Sequence, residues 1–217
     1  MSATATRIER MDARRDPAIA IEVLSGAAVR PRLEAVAALR IAVFREWPYL
    51  YQGDLAYERE YLEAYAHAPG SVLVLARAGG EVVGASTGIP LAQDGPDFQA
   101  PFHARGIDPA RVFYCGESVL QPAWRGRGIG HAFFDAREAH ARALGGFGWI
   151  SFAAVDRDAA DPRRPAGHRG NEAFWARRGY VRQPGMTMSL HWNEAGVGEV
   201  AHTLTFWLRP LAQGEDA

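Results

Sequence analysis

The chain has 217 residues, 48% hydrophobic and 23% charged, with a net charge near −1. That length supports one large domain with a substantial core, and the charge gives no electrostatic basis for a nucleic-acid or anionic-membrane partner. Every basic residue except histidine is arginine, so Schiff-base and lysine-base mechanisms are closed. A single cysteine, Cys115, excludes an intramolecular disulfide and a multi-cysteine zinc site, and no metal is expected. No apolar run approaches the roughly 20 residues that span a bilayer. The polar start, Met1 to Asp16, lacks the apolar core of a secretion signal, so cytoplasmic residence is expected.

In chain order, residues 1–17 read as a flexible arm and Ile19–Leu24 as a short strand. Pro31 opens a helix through Phe44, proline being favoured in a first turn. The stretch Glu46–Asp54 is too rich in turn formers for a helix. A second helix follows from Leu55 to about His67, ended by Pro69-Gly70. Ser71–Ala76 and Glu81–Ile89 read as strands joined at Gly79-Gly80, a hairpin signal. Gln93–Asp108 reads as an inserted loop with room for one helical turn. Val112–Gln121 is a strand. A glycine-rich turn and an amphipathic helix follow, with Ile129, Ala132, Phe133, Ala136, His140 and Ala143 at i, i+3, i+4 spacing. Trp149–Val155 is the next strand and Asp156–Gly170 a long polar loop. Asn171–Arg178 is a short helix closed by Gly179. Thr187–Trp192 and Ala201–Leu208 can pair as a hairpin, completing a single domain over 18–211 with a tail at 212–217.

The most specific signal is Arg125-Gly126-Arg127-Gly128-Ile129-Gly130. A glycine-rich turn at a helix start presents N–H groups without intrahelical partners, and the helix dipole adds partial positive charge. Such a turn suits a pyrophosphate, and glycine lets the backbone approach it closely. The P-loop is excluded because it requires lysine. The dinucleotide fingerprint G-x-G-x-x-G is excluded because these glycines alternate. What remains is R-x-x-G-x-G, carried by Arg125, Gly128 and Gly130, and the wider segment Val119–Gly130 resembles the acetyl-CoA signature of the GNAT acetyltransferase superfamily. The resemblance covers roughly Ile19–Leu211 and implies an α/β fold: a mixed, mainly antiparallel twisted sheet with helices on both faces. It also implies acetyl-CoA as co-substrate, held by Arg125 to Gly130 and by Val119 and Leu120. One of those last two would offer a backbone N–H to the thioester carbonyl.

Asn171 to Tyr180 resembles the superfamily's second signature. Asn171 would contact CoA through its amide, or act simply as an N-cap; Phe174 would pack beneath the cofactor. At Trp175 many members carry a tyrosine that protonates the departing thiolate, and an indole N–H will not serve as that proton source. Either the thiolate leaves unassisted or another tyrosine acts, and Tyr180 and Tyr114 are nearest in sequence. Glu117 stands where relatives hold a carboxylate that receives the amine proton, although a glutamate in an alternating strand also reads as solvent-facing. Cys115 reads as packing.

For the acceptor, Glu46, Trp47, Tyr49 and Tyr51 combine aromatic faces with a carboxylate, which favours a cationic amine; the same rings could instead anchor a loop. Tyr57, Tyr61 and Tyr65 read as one packed helix face. The arginine-rich loop at 163–169 either touches the adenosine 3′-phosphate or is solvated. A final apolar strand (Leu204, Phe206, Leu208) at the sheet's end allows a homodimer. The resulting expectation is an N-acetyltransferase that acts on a primary amine of a small molecule or peptide. The alternative is a catalytically weak acyl-CoA-binding module.

Overall fold

Eight strands and five α-helices are formed among residues 17–211, which the computed structural model describes. The arm expected over 1–17, apart from Pro17, and the tail at 212–217 lie outside the described residues. The elements run β1 (Ile19–Leu24), α1 (Leu33–Phe44), α2 (Leu55–His67), β2 (Val72–Ala78), β3 (Glu81–Pro90), α3 (Pro96–His103), β4 (Val112–Tyr114) and β5 (Ser118–Leu120). They continue with α4 (Ile129–Leu144), β6 (Trp149–Val155), α5 (Glu172–Arg177), β7 (Val181–Glu194) and β8 (Gly198–Pro210). The sheet order is β1-β2-β3-β4-β6-β8-β7, with β5 also paired to β3. Every pairing is antiparallel except β4 with β6.

Alternation along the strands sends side chains to two apolar layers. Leu73, Leu75 and Ala85 face a core shared with α1, α2 and α3 through Val36, Leu62 and Phe102. Val72, Val74 and Ala76 face the other layer, closed by Phe133 and Phe134 of α4 and by Phe174 and Trp175 of α5. This is the mixed, mostly antiparallel sheet covered on both faces that the resemblance implied.

Several details differ from the sequence reading. The insert holds a two-turn helix, α3, with Pro96 in its first turn and Phe102 fully buried against Phe206, ring centroids 5.0 Å apart. Its proline, glycine and aspartate content masked that apolar spacing. β7 and β8 are longer than expected because a register shift between Arg182 and Thr187 absorbs Pro184-Gly185. The argument for a homodimer through β8 does not hold: β7 covers that edge, and Leu204, Phe206 and Leu208 are core residues. The strand expected over Val112–Gln121 is broken at Cys115-Gly116-Glu117, and that break builds the site.

Candidate active site

β4 runs parallel to β6 as far as Tyr114↔Ser151, and the Cys115 N–H still donates to Ser151 O at 2.7 Å. Past that point the two part. β5 pairs only with β3, and the far half of β6, Phe152–Val155, pairs only with β8. The ladder's phase shows which backbone groups face the gap. Gln121 N–H donates to Val83 O and Thr87 N–H to Glu117 O, so residues 117, 119 and 121 turn toward β3. In an antiparallel ladder the alternate residues, Ser118 and Leu120, then turn their N–H and C=O away. Leu120 therefore faces the opening as expected, whereas Val119 does not: its N–H is turned to β3 and its side chain is fully buried. Ser118, not Val119, is the other β5 residue whose N–H faces the gap.

The gap leads directly to the glycine turn. Gly126 and Gly128 have φ of +76° and +81°, and a β-carbon on either would meet nothing within 4 Å. Gly128 caps α4, a 16-residue helix whose first N–H groups have no intrahelical acceptor. Arg125 lies across the mouth: its Nε donates to Leu120 O at 3.2 Å and its Nη2 meets Glu46 Oε2 at 3.0 Å. The Arg127 guanidinium stacks 4.8 Å from the Trp124 ring. On the far rim, Asn171 precedes α5 with no side-chain capping bond, so its amide is not used as an N-cap. Phe174 packs edge-on to His131 in the first turn of α4, at 4.9 Å. The open N-terminus of α4, Arg125 and the α5 ring of Phe174 thus lie together at the end of the gap. These residues suit the diphosphate and pantetheine arm of a coenzyme A ester.

At the break, the Glu117 carbonyl accepts from Ser86 Oγ (2.8 Å) and Arg137 Nη1 (3.2 Å) as well as from Thr87 N–H. Arg137 is itself buried beneath the sheet, so the kink is pinned from the α4 face and through the backbone of β3. The Glu117 side chain points toward α1 and α2 and is 8% exposed, so it is not the solvent-facing residue that alternation alone allowed. Its Oε2 meets Arg40 Nη1 at 2.6 Å, and Arg40 also pairs with the buried Glu58. Tyr61 OH lies 3.5 Å from the same Oε2, long for a hydrogen bond, and 3.3 Å from Tyr65 OH. Glu117 Oε1 is buried without a partner among the described residues. Burial pushes the Tyr61 and Tyr65 hydroxyls well above the ordinary phenol range and keeps them protonated.

Of the two tyrosines suggested by sequence, Tyr114 is fully buried on the Glu117 side of the sheet, within electrostatic reach of Tyr61 and Asp94, and Tyr180 lies on the other side. Tyr114 is buried in the α1–α2 layer against Phe98 and Phe206. Tyr180 is buried in the opposite layer, where its hydroxyl donates to Glu138 at 3.3 Å and burial raises its pKa. Trp175 joins an aromatic cluster with Phe152 (4.9 Å) and Trp207 (5.2 Å) along the β6 side of the gap.

Glu46, Trp47, Tyr49 and Tyr51 have different partners, Glu46 pairing with Arg125 while Tyr49 and Tyr51 lie within electrostatic reach of Arg40. Arg157 donates to Pro48 O and Tyr49 O and sits 5.7 Å from the Trp47 ring. Tyr49 packs on Phe44 and Trp192, with burial pushing its hydroxyl up to about 12. Tyr51 bridges to Glu194. The loop is anchored by its aromatics, the second of the two readings. The loop over 156–170 joins the same anchor: Arg157 and Arg163 both hold the buried Glu194. Sequence reasoning missed Arg40, Glu58 and Arg137, because a buried ion on a helix leaves no distinct spacing signal.

Among the described residues, no group of three or more His, Cys, Asp or Glu could hold a metal ion, and no helix is long and apolar enough to cross a membrane. The acetyltransferase (GNAT) family model matches residues 37–165. A comparison with curated proteins finds no significant match. Among solved structures, a ribosomal-protein-alanine N-acetyltransferase from Brucella melitensis shares 16% identity at a TM-score of 0.58, covering 88% of this chain and 99% of that one. A GCN5-related N-acetyltransferase from Kribbella flavida shares 21% at 0.53, covering 88% and 98%. A Salmonella typhimurium structure with its cofactor acetyl-CoA shares 14% at 0.54, covering 91% and 96%. These likenesses are of fold.

Proposed function

We propose that this chain, which belongs to the acetyltransferase (GNAT) family, transfers an acetyl group from acetyl-CoA directly to a primary amine of a small molecule or peptide. The observation that carries the reading is the gap between β5 and β6, open from the Gly126–Gly130 turn to the kink at Gly116-Glu117. When bound, acetyl-CoA supplies the acetyl group as an activated thioester. The N–H groups that open α4 bind its diphosphate, and Arg125 and Arg127 add charge. Asn171 and Phe174 flank the arm. The outward N–H groups of Ser118 and Leu120 are fixed donors for a carbonyl that gains negative charge, an electrostatic role.

Glu117 receives the amine proton. An ammonium cannot attack until it is deprotonated, and Oε1 is the carboxylate oxygen left without a partner while Arg40 holds Oε2. Tyr61 and Tyr65 are placed to orient the amine as neutral hydroxyls. The thiolate departs unassisted, since a thiol is a tolerable leaving group and the hydroxyl-bearing side chains of Tyr114 and Tyr180 are both fully buried. The test is thiol release from acetyl-CoA across polyamines, aminoglycosides, amino acids and peptide N-termini. Release above background with at least one amine is expected.

A second reading, a catalytically weak acyl-CoA-binding module, is favoured by one observation: Trp175 is packed as a cluster residue. Tight acetyl-CoA binding with no amine-dependent release would select it.

A further inference from the structure

A cleft of about 390 Å³ opens between the outer face of α2 and the insert that follows β3. Its walls include the rings of Tyr57, Tyr61, Tyr65 and Phe98 and the carboxylates of Glu60 and Asp94; no lining residue is cationic. The tyrosines read from sequence as a packed face therefore have one side open, and Tyr57 is 56% exposed. Tyr61 and Tyr65 also border the kink: Tyr61 lies beside Glu117, and the Tyr65 hydroxyl abuts Gly116. The cleft floor and the base of the proposed reaction share the same two phenols.

The electrostatics have one sign. Asp94 accepts from Gly95 N–H through Oδ1 at 2.8 Å, and burial, reinforced by Glu117, raises its pKa. A half-buried carboxylate with no cationic partner gains most from a cation brought to it. The neighbouring cation, Arg40, lies behind the Tyr61 ring at 4.4 Å and is committed to Glu58 and Glu117. Aromatic faces beside a carboxylate favour an ammonium group, and the volume suits a small ligand.

We infer that this cleft is the acceptor site and that it takes a small primary ammonium carried on an apolar or aromatic body, with Asp94 as its counter-ion. The inference deepens the acetyl-transfer reading and rests on it for the fate of the amine. The binding claim is tested separately, by calorimetric titration of the full chain without acetyl-CoA.

Three probes of similar shape are compared: 2-phenylethylamine, 2-phenylethanol and 3-phenylpropanoate. The amine should bind about tenfold more tightly than the alcohol, the gain expected of one charge-assisted contact, with the carboxylate weakest. Asp94→Asn keeps an acceptor for Gly95 and should remove that advantage without changing the alcohol's affinity. Tyr57→Ala, at an exposed position, should weaken all aromatic probes. Both variants should bind acetyl-CoA as the wild type does. Equal binding of the three probes, binding of none, or an amine preference that survives Asp94→Asn would overturn the inference. Amine binding as expected in a protein that does not bind acetyl-CoA would overturn the acetyl-transfer reading and with it the acceptor role, leaving the cleft as an ammonium-binding site with Asp94 as counter-ion.

Discussion

The Tyr65 hydroxyl occupies the space that a side chain on Gly116 would need: a β-carbon there would overlap it and stand 2.7 Å from Thr87 Oγ1. Helix α2 is thereby set against the one point where the strand breaks. Gly116→Ala should displace Tyr65 and cost about 1–3 kcal/mol of stability, the usual range for overpacking. It should lower turnover while leaving acetyl-CoA affinity near wild type. Melting temperature, turnover number and calorimetry check this; a variant with unchanged stability and rate would show that the Tyr65 contact does not constrain the kink.

Glu117→Gln should lower the acetylation rate about 100-fold, the scale of general-base catalysis, with little effect on acetyl-CoA binding. The loss should be largest at low pH, where the amine is mostly protonated and most needs an acceptor for its proton. Removing the negative charge also leaves Arg40 with Glu58 as its sole carboxylate partner among the described residues, so melting temperature is measured alongside. An unaltered pH–rate profile with the true acceptor would reduce Glu117 to a partner of Arg40.

Gly128→Glu should abolish acetyl-CoA binding. Gly128 has φ of +81° and faces open space, so the new side chain brings strain of about 1–2 kcal/mol and a negative charge where the diphosphate belongs. Gly128→Ala, which brings the strain without the charge, should bind acetyl-CoA more weakly than wild type but measurably. Undiminished affinity in a folded Gly128→Glu protein would remove the cofactor assignment.

Trp175→Tyr should leave turnover unreduced, because it puts a phenol, a proton donor that indole is not, on the β6 side of the gap. It should lower stability by about 1 kcal/mol, since the smaller ring leaves a gap against Phe152 and Trp207. A folded variant with markedly lower turnover would mean that the indole itself shapes the acyl pocket.

Acid should loosen the anchor of the 46–54 loop. Burial opposes the charged form of Glu194, yet Arg157 and Arg163 win and hold its pKa below the usual range. A depressed carboxylate stabilises the fold fully above its unfolded value, about 4.3, and that contribution is lost as pH falls through the folded value. His202, 3.3 Å from Glu194, is lowered by burial and then by Arg157. Its contribution has the same sense and starts to fade below about pH 6.5. Melting temperature should therefore fall from pH 7 to pH 4. Glu194→Gln should flatten the lower part of that curve and lower stability at neutral pH by leaving Arg157 without its carboxylate, while Arg163 keeps Asp161. A parallel decline in wild type and variant would sink the assignment.

The glycine turn and the element order were legible because they depend on local pattern: alternate glycines, a proline opening a helix, apolar residues at strand and helix periods. α2 and β6 match their expected spans residue for residue. The kink was not legible, since Val112 to Leu120 has an unbroken strand composition and only Gly116 hints at a break. Which N–H groups face the gap depends on ladder phase, and so Val119 could not be told from Ser118. The acid cluster was hidden for another reason. Arg40, Glu58 and Glu117 are distant in sequence; Arg40 and Glu58 each alone read as surface residues, and Glu117 stood out only through the family resemblance. Tyr57, Tyr61 and Tyr65 were recognised as one face, but the insert that makes that face a cleft read as a loop.

The most direct measurement is a single-turnover reaction of the protein, saturated with acetyl-CoA, with 2-phenylethylamine, followed by mass spectrometry of both protein and amine. Direct transfer predicts one N-acetylated amine for each thiol released, release that depends on the amine, and no acetylated protein at any time point. An acetyl group that appears on the protein before the product, or bound acetyl-CoA that releases no thiol with this or any other amine offered, would contradict it.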